Sequence, residues 1–281
     1  MKIKLFTSLH KYCASAVRDA VLQSITDDCH QLCDITQADL AIAIGGDGTM
    51  LEALSEMAPF SAPVLGVYAG TLGFLTMLEP SKACGFKAIL DTGTIEHRTI
   101  FDYEVFRRGI QAHTGRIVND LVLRHGTSGR MVAMELYVGE HFVSRFDADG
   151  LIINTSTGST AYSLSAGGPI VYPTADIMGL APICSHSLSL RPMIVPASEG
   201  VTLICLGNKY MDSMFLSGDG QDNCEIFTGD VVRVTKSSYT AKFLIPVQST
   251  SFYDRLRAKL DWGPKDQLPL ALELAKIECE W

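Results

Sequence analysis

Gly45-Gly46-Asp47-Gly48-Thr49 stands between four consecutive apolar residues, Ala41-Ile42-Ala43-Ile44, and a run carrying Leu51, Leu54 and Met57 at helical spacing. That order predicts a buried strand, a glycine turn and a helix. A turn of this kind gathers backbone N–H groups at the positive end of a helix, which suits a phosphate. Asp47 changes the chemistry, because a loop built only to hold phosphate gains nothing from a like charge. Its carboxylate suggests proton abstraction from a hydroxyl acceptor or outer-shell help to a metal ion. A structural reading competes: glycines that supply positive φ, with Asp47 closing an Asx turn. Spacing alone leaves both open.

A second stretch runs from Asp149-Gly150-Leu151-Ile152-Ile153 through Asn154-Thr155-Ser156-Thr157-Gly158-Ser159-Thr160-Ala161-Tyr162-Ser163-Leu164-Ser165-Ala166-Gly167-Gly168-Pro169. A buried strand empties into a dense run of hydroxyls and small residues. Such a run offers many short hydrogen-bonding groups and lets a ligand approach the backbone closely. With Tyr162, Leu164 and Pro169 embedded in it, the run is too apolar for a merely solvated loop. Two further pairs, Asn119-Asp120 and Asp219-Gly220 (followed by Gln221), read as turns. His186 and Arg191 are possible phosphate contacts, although a lone His or Arg is more often structural.

The elements that would position these groups follow in order. Residues 1–8 predict a strand, 10–25 a helix with Ala14, Val17, Val21 and Ile25 on one face, and 63–68 another strand leading into Ala69-Gly70-Thr71-Leu72-Gly73-Phe74-Leu75. Alternation of strand and helix predicts a parallel sheet whose ligands bind beyond the strands' carboxyl ends, so both glycine-rich loops should open on one crevice. From about residue 96 short alternating runs dominate, among them 100–108, 116–124, 131–138 and 231–235, which predicts an antiparallel β domain. Helical spacing returns at 251–260.

Composition narrows the function class. The chain has 281 residues, 47% hydrophobic and 19% charged, with a net charge of −8. Without a basic run, a nucleic-acid partner held by phosphate contacts is not expected. No apolar run reaches the roughly 18–20 residues of a membrane span, and no signal-peptide core follows the N-terminus. A cytoplasmic location is expected. The eight cysteines include no C-x-x-C pair and no zinc spacing, so reduced, mostly buried thiols are expected. The phosphate loop of P-loop kinases, the common dinucleotide fingerprint and the hydrolase nucleophile elbow are all missing from the sequence.

Taken together, G-G-D-G-T at 45–49, G-T-L-G-F-L at 70–75, N-D at 119–120, D-G-L-I at 149–152 and T-G-S-T-A-Y-S-L-S-A-G-G-P at 157–169 resemble the NAD kinase family, in the family's order and over most of the chain. The first segment is shared with diacylglycerol kinases, sphingosine kinases and, more loosely, 6-phosphofructokinases; the T-G-S-T-A-Y run is far more specific. The resemblance implies phosphorylation of NAD at the 2′-hydroxyl of its adenosine ribose, with ATP as donor and Mg²⁺ as the divalent ion, giving NADP. It makes Asp47 the general base, and Gly45, Gly46, Gly48 and Thr49 the lining of the donor-phosphate path. The same resemblance puts Phe74 near the adenine and Asn119 and Asp120 on a ribose or the nicotinamide end. Thr160, Ala161, Tyr162 and Ser165 line the base pockets, with Asp149 beside them. The implied fold is an N-terminal phosphofructokinase-like α/β domain with a parallel sheet (1–97), a C-terminal β-sandwich that binds NAD (98–250), and a final segment (251–281) returning to the first domain. A homodimer or homotetramer is implied as well.

Three positions depart from the family pattern: Tyr68 where many relatives have Asn, Asp147 where many bacterial members have Arg, and Leu190 in place of a frequent Asn. They bear on phosphate-side contacts and feedback rather than on the core reaction. A lipid or sphingoid-base kinase shares the glycine loop but would want a basic membrane-facing patch, against which the net charge speaks. A non-catalytic NAD(P) sensor would keep the fold and has no need of Asp47.

Overall fold

In a computed structural model the described residues are 1–8, 12–27, 30–70, 72–80, 86–126, 129–187, 189–207, 214–247 and 249–262; the leucine-rich tail from 263 onward lies outside them. The first elements are β1 (Lys2–Thr7), α1 (Tyr12–Asp27), β2 (Gln31–Leu32), β3 (Leu40–Gly45), α2 (Asp47–Met57) and β4 (Val64–Tyr68). Strand β1 lies between β2 and β3, and β3 between β1 and β4, all parallel. Every residue of β3 is buried, as a strand covered on both faces requires. Its side chains divide by size. Ala41 and Ala43 face a cluster with Met50, Leu54 and Met57 of α2, while Leu40, Ile42 and Ile44 pack with Val21 and Ile25 of α1. Small residues on one face thus bring α2 close to the sheet, and its N-terminus sits directly beyond the end of β3.

After α3 (Phe86–Thr92) the chain is almost all β: β5 (Thr94–Arg107), β6 (Ile110–Ile117), β7 (Asp120–His125), β8 (Val132–Val138), β9 (His141–Ala148), β10 (Gly150–Thr155), the short α4 (Tyr162–Ser165), β11 (Ile177–Ile183), β12 (Met193–Pro196), β13 (Val201–Gly207), β14 (Met214–Gly218), β15 (Asp222–Ile226) and β16 (Val231–Ile245). Six strands form an antiparallel sheet in the order β12-β11-β10-β7-β14-β15. The parallel strands continue through β16 into β13, β8 and β9, giving a ten-stranded sheet from which β5 and β6 branch. Side chains of both sheets, including Phe101, Leu123, Met134, Leu151 and Val232, share one buried cluster, which makes this part a β-sandwich. β16 joins the two regions. It pairs with β13 at Val231–Ile204, meets β4 at Phe243–Val64, and runs antiparallel to β5 over nearly its whole length.

The alternating run 116–124 predicts one strand, whereas the structure splits it: β6 ends at Ile117 in the large sheet and β7 starts at Asp120 in the small one. The cause is a side chain. The Asp219 carboxylate accepts the backbone N–H groups of Val118, Asn119 and Asp120 at 2.8, 2.8 and 3.0 Å and so turns the chain out of the first ladder.

The chain divides into two units, 1–247 and 248–281. In the second, α5 (Phe252–Leu260) starts with a capping box in which Ser251 Oγ accepts from the Asp254 amide at 3.1 Å. Among the described residues no helix is long and apolar enough to cross a membrane.

Candidate active site

One part of the candidate site is the turn from β3 into α2. Gly46 is the extended N-cap residue of α2, with φ −105°. A Cβ on Gly45 would lie 2.4 Å from Thr49 Oγ1, so only glycine fits beneath the loop. Asp47 is held by a second loop: its Oδ2 accepts from the Phe74 amide at 2.9 Å, and its Oδ1 from the amides of Leu75 and Thr76 at 2.9 and 3.4 Å. Gly73 makes this approach possible, since a Cβ there would fall 1.9 Å from Asp47 Oδ1. The two glycine-rich loops therefore touch through Asp47, and Phe74 is placed beside it. Among the described residues Oδ2 takes one hydrogen bond and keeps lone-pair capacity for a hydroxyl donor.

The other part is a cavity of about 320 Å³ lined by Asn119, Asp120, Ala161, Tyr162, Asp219 and Gly220 among others. It exists because the 155–161 turn is tied to the 118–120 turn. Thr155 donates its amide to the Asn119 carbonyl at 2.9 Å and its hydroxyl to the Val118 carbonyl at 2.6 Å, and the Gly158 amide donates to Thr155 Oγ1 at 3.1 Å. Asn119 Oδ1 is buried without a hydrogen-bond partner among the described residues, an acceptor that a ligand N–H could satisfy.

Sequence reasoning grouped Asn119, Asp120, Ala161 and Tyr162, and the cavity collects all four; Thr160 is half-buried next to them. Ser165, exposed at the end of α4, is not among the lining residues. Neither is Asp149, whose backbone groups join His125 and Ile183. Asp219 and Gln221 read in the sequence as a plain turn, and here they bind. Asp219 takes three amides, and Gln221 Nε2 donates to the Gly48 carbonyl at 2.9 Å. One signal was present: Gly46-Asp47-Gly48 recurs as Gly218-Asp219-Gly220, and each aspartate accepts three successive backbone amides.

Burial first, and then the neighbouring Asp219, push the Asp120 carboxyl up to about 7, against a hydrogen bond from the Tyr162 amide. Burial likewise raises Asp219, against its three amide donors. The folded chain thus keeps the Asp120 proton over a range in which the unfolded chain has released it. Stability is therefore present in full below the ordinary carboxyl value and is lost as pH rises towards about 7, by roughly 4 kcal/mol at most. Urea unfolding of the ligand-free protein at pH 5 and pH 8 should show this decline, and Asp120→Asn should remove most of it. Equal declines in both proteins would mean that Asp120 is ionised throughout.

Comparison with known proteins adds sequence relatives and shared folds. Residues 3–91 match the ATP-NAD kinase N-terminal domain and residues 118–245 the ATP-NAD kinase C-terminal domain. The NAD kinase of Symbiobacterium thermophilum is 41% identical over 226 residues, 80% of this chain and 79% of that protein. The NAD kinase of Thiobacillus denitrificans is 36% identical over 255 residues, 90% of this chain and 86% of that protein. Two solved structures share the fold at 22% identity. Yeast NADH kinase complexed with NADH has a TM-score of 0.82 over 96% of this chain and 89% of its own, and an NAD kinase from Archaeoglobus fulgidus in complex with ATP has 0.70 over 92% and 96%.

Proposed function

The chain belongs to the NAD kinase family and is a kinase of NAD, and from that premise we propose how its residues divide the work. The adenosine-ribose 2′-hydroxyl of NAD lies against Asp47, whose Oδ2 takes the proton as the 2′-oxygen bonds to the γ-phosphorus of ATP. The bond from that phosphorus to the β,γ-bridging oxygen breaks, and ADP leaves. Phosphoryl transfer asks the protein mainly for positioning and charge stabilisation. Gly45, Gly46, Gly48 and Thr49 supply the first, with α2 amides at the phosphate. Phe74 packs at the adenine. Asn119 offers its unpartnered Oδ1 to a ligand N–H, Asp120 takes a ribose hydroxyl or the nicotinamide end, and Thr160, Ala161 and Tyr162 wall the pocket, with Ser165 and Asp149 at its margin.

Mg²⁺ is the proposed metal. No three His, Cys, Asp or Glu side chains converge among the described residues. That donor set fits an ion carried mostly by donor phosphates and water, with at most the one carboxylate of the 45–49 loop. When bound, Mg²⁺ offsets the charge of the transferring phosphoryl group. A homodimer or homotetramer is proposed too. It is supported by β9, which ends the large sheet with Phe142 and Val143 exposed.

The observation that carries this reading is the Asp47 carboxylate, seated in the donor loop and clamped by the loop that bears Phe74. Purified protein mixed with NAD, ATP and Mg²⁺ should yield NADP, read with an NADP-specific dehydrogenase. Polyphosphate in place of ATP tests the donor. Folded protein that binds NAD and forms no NADP would instead be a sensor.

A further inference from the structure

The turn between β14 and β15 is only three residues long, 219–221, and side chains of the turn and of Asp222 just after it bind three different parts of the molecule. Asp219 holds the 118–120 turn of the nucleotide cavity. Gln221 Nε2 reaches the Gly48 carbonyl in the donor loop at 2.9 Å. Asp222 accepts from the hydroxyl of buried Tyr103 and lies 2.9 Å from His113 Nε2. Gly218, at the base of the turn, packs on the Tyr103 ring, where a Cβ would lie 3.2 Å from it. The turn is therefore pinned on both sides of Gln221.

The donor loop is poorly supported where Gln221 meets it. Apart from its chain neighbours and its own helix backbone, the sole atom of the described residues within 4 Å of where a Gly48 Cβ would stand is Gln221 Nε2, at 3.7 Å. The Gly48 carbonyl has two lone pairs, so the side-chain bond adds to the helix bond of α2 without displacing it.

We propose that Gln221 is a positioning residue that sets the phosphate-donor loop in register with the nucleotide cavity, by tying the Gly48 carbonyl to the turn that carries Asp219. The inference rests on the reading of 45–49 as the donor loop and of the cavity as the NAD site. Gln221 touches neither substrate; it acts through Gly48. The bond is exposed, and such a bond contributes little to folding, about 1 kcal/mol. In-line transfer is far more sensitive, since a shift of about 1 Å can cost on the order of 10²-fold in rate. The signature is therefore a loss of turnover without a matching loss of stability.

The experiment uses Gln221→Met, close in shape but with no N–H, and Gln221→Arg, which restores a donor on a longer arm. Turnover, KM for NAD and for ATP, and thermal unfolding are measured for both against wild type. Amide hydrogen exchange of the peptide spanning 46–50 is followed without nucleotide. Gln221→Met should lower kcat by roughly 10-fold or more with KM for NAD essentially unchanged, and should speed exchange in the loop. Gln221→Arg should recover most of both. The proposal is overturned if Gln221→Met turns over like wild type with unchanged exchange, or if both variants lose activity in step with their melting temperature. If wild type forms no NADP, the enzymatic premise falls and the exchange data decide the tether alone: faster exchange in Gln221→Met than in Gln221→Arg supports it, and equal exchange refutes it.

Discussion

Asp47→Asn should lower turnover by about 10²–10⁴-fold while NAD still binds, the range expected when a positioned general base is removed. The structure says what else this substitution touches. Asparagine keeps one acceptor oxygen, enough for the amides of Leu75 and Thr76, but its NH₂ group then faces the Phe74 amide that now donates to Oδ2. One hydrogen bond is lost, and two donors meet at a half-buried point, which costs the loop about 1–3 kcal/mol. Some weakening of the adenine side is thus expected through Phe74. Titration of NAD onto the variant, alongside its kcat, separates the two effects. Tight NAD binding with turnover nearly abolished fits the base. A kcat within tenfold of wild type would remove Asp47 from that role and leave it as a clamp between the loops.

The second large effect is expected at Gly158. A Cβ there would stand 2.1 Å from the Asn119 carbonyl oxygen, 2.5 Å from its carbon and 2.8 Å from its Cα. All three are backbone atoms, so no side chain can rotate away. Gly158→Ala must push the 155–161 turn off the 118–120 turn. That breaks the contacts that Thr155 makes with Val118 and Asn119 and opens the cavity wall. A loss of about 3 kcal/mol or more is expected, at the upper end for overpacking, with NAD affinity down at least about 10²-fold. Urea unfolding and NAD titration measure both. Gly48→Ala is the contrast, because among the described residues the one atom near its Cβ is the far end of the Gln221 side chain. Were Gly158→Ala as stable as wild type, with an unchanged dissociation constant, the two turns would be independent.

The strands and helices nearest the chemistry were legible because their patterns are local. The run Leu40–Ile44 is apolar without a break, so it reads as a strand buried on both faces, and the glycines after it read as a turn into a helix. The cavity residues Asn119, Asp120, Ala161 and Tyr162 were grouped through family resemblance; nothing in their spacing says that the turns at 118–120 and 155–161 touch. The break in the run 116–124 was hidden for the same reason. It depends on Asp219, about a hundred residues away, and hydrophobic alternation carries no trace of so distant a donor–acceptor match. Gln221 was equally silent, since its contact with Gly48 exists only once both sheets are assembled. The value of about 7 at Asp120 needs burial and a second carboxyl at close range, which no one-dimensional pattern supplies.

The place of β16 in the large sheet has a consequence for synthesis. Strand β4 is complete at Tyr68, and its second half is soon paired, the Met77 and Leu78 amides donating to the Gly66 carbonyl and the Tyr68 amide to the Leu78 carbonyl. The strand that pairs with its first half, at Val64, begins only at Val231. At ribosomal speeds of about 5–20 residues per second, the nascent chain waits roughly 10–30 s between the two. Throughout that interval the Val64 end of the parallel layer stays without its partner strand, a short apolar border of the kind that recruits other chains. Chaperone demand should therefore be set by translation speed across the sandwich-coding part of the message, and slow codons there would lengthen the period in which newly made chains can aggregate.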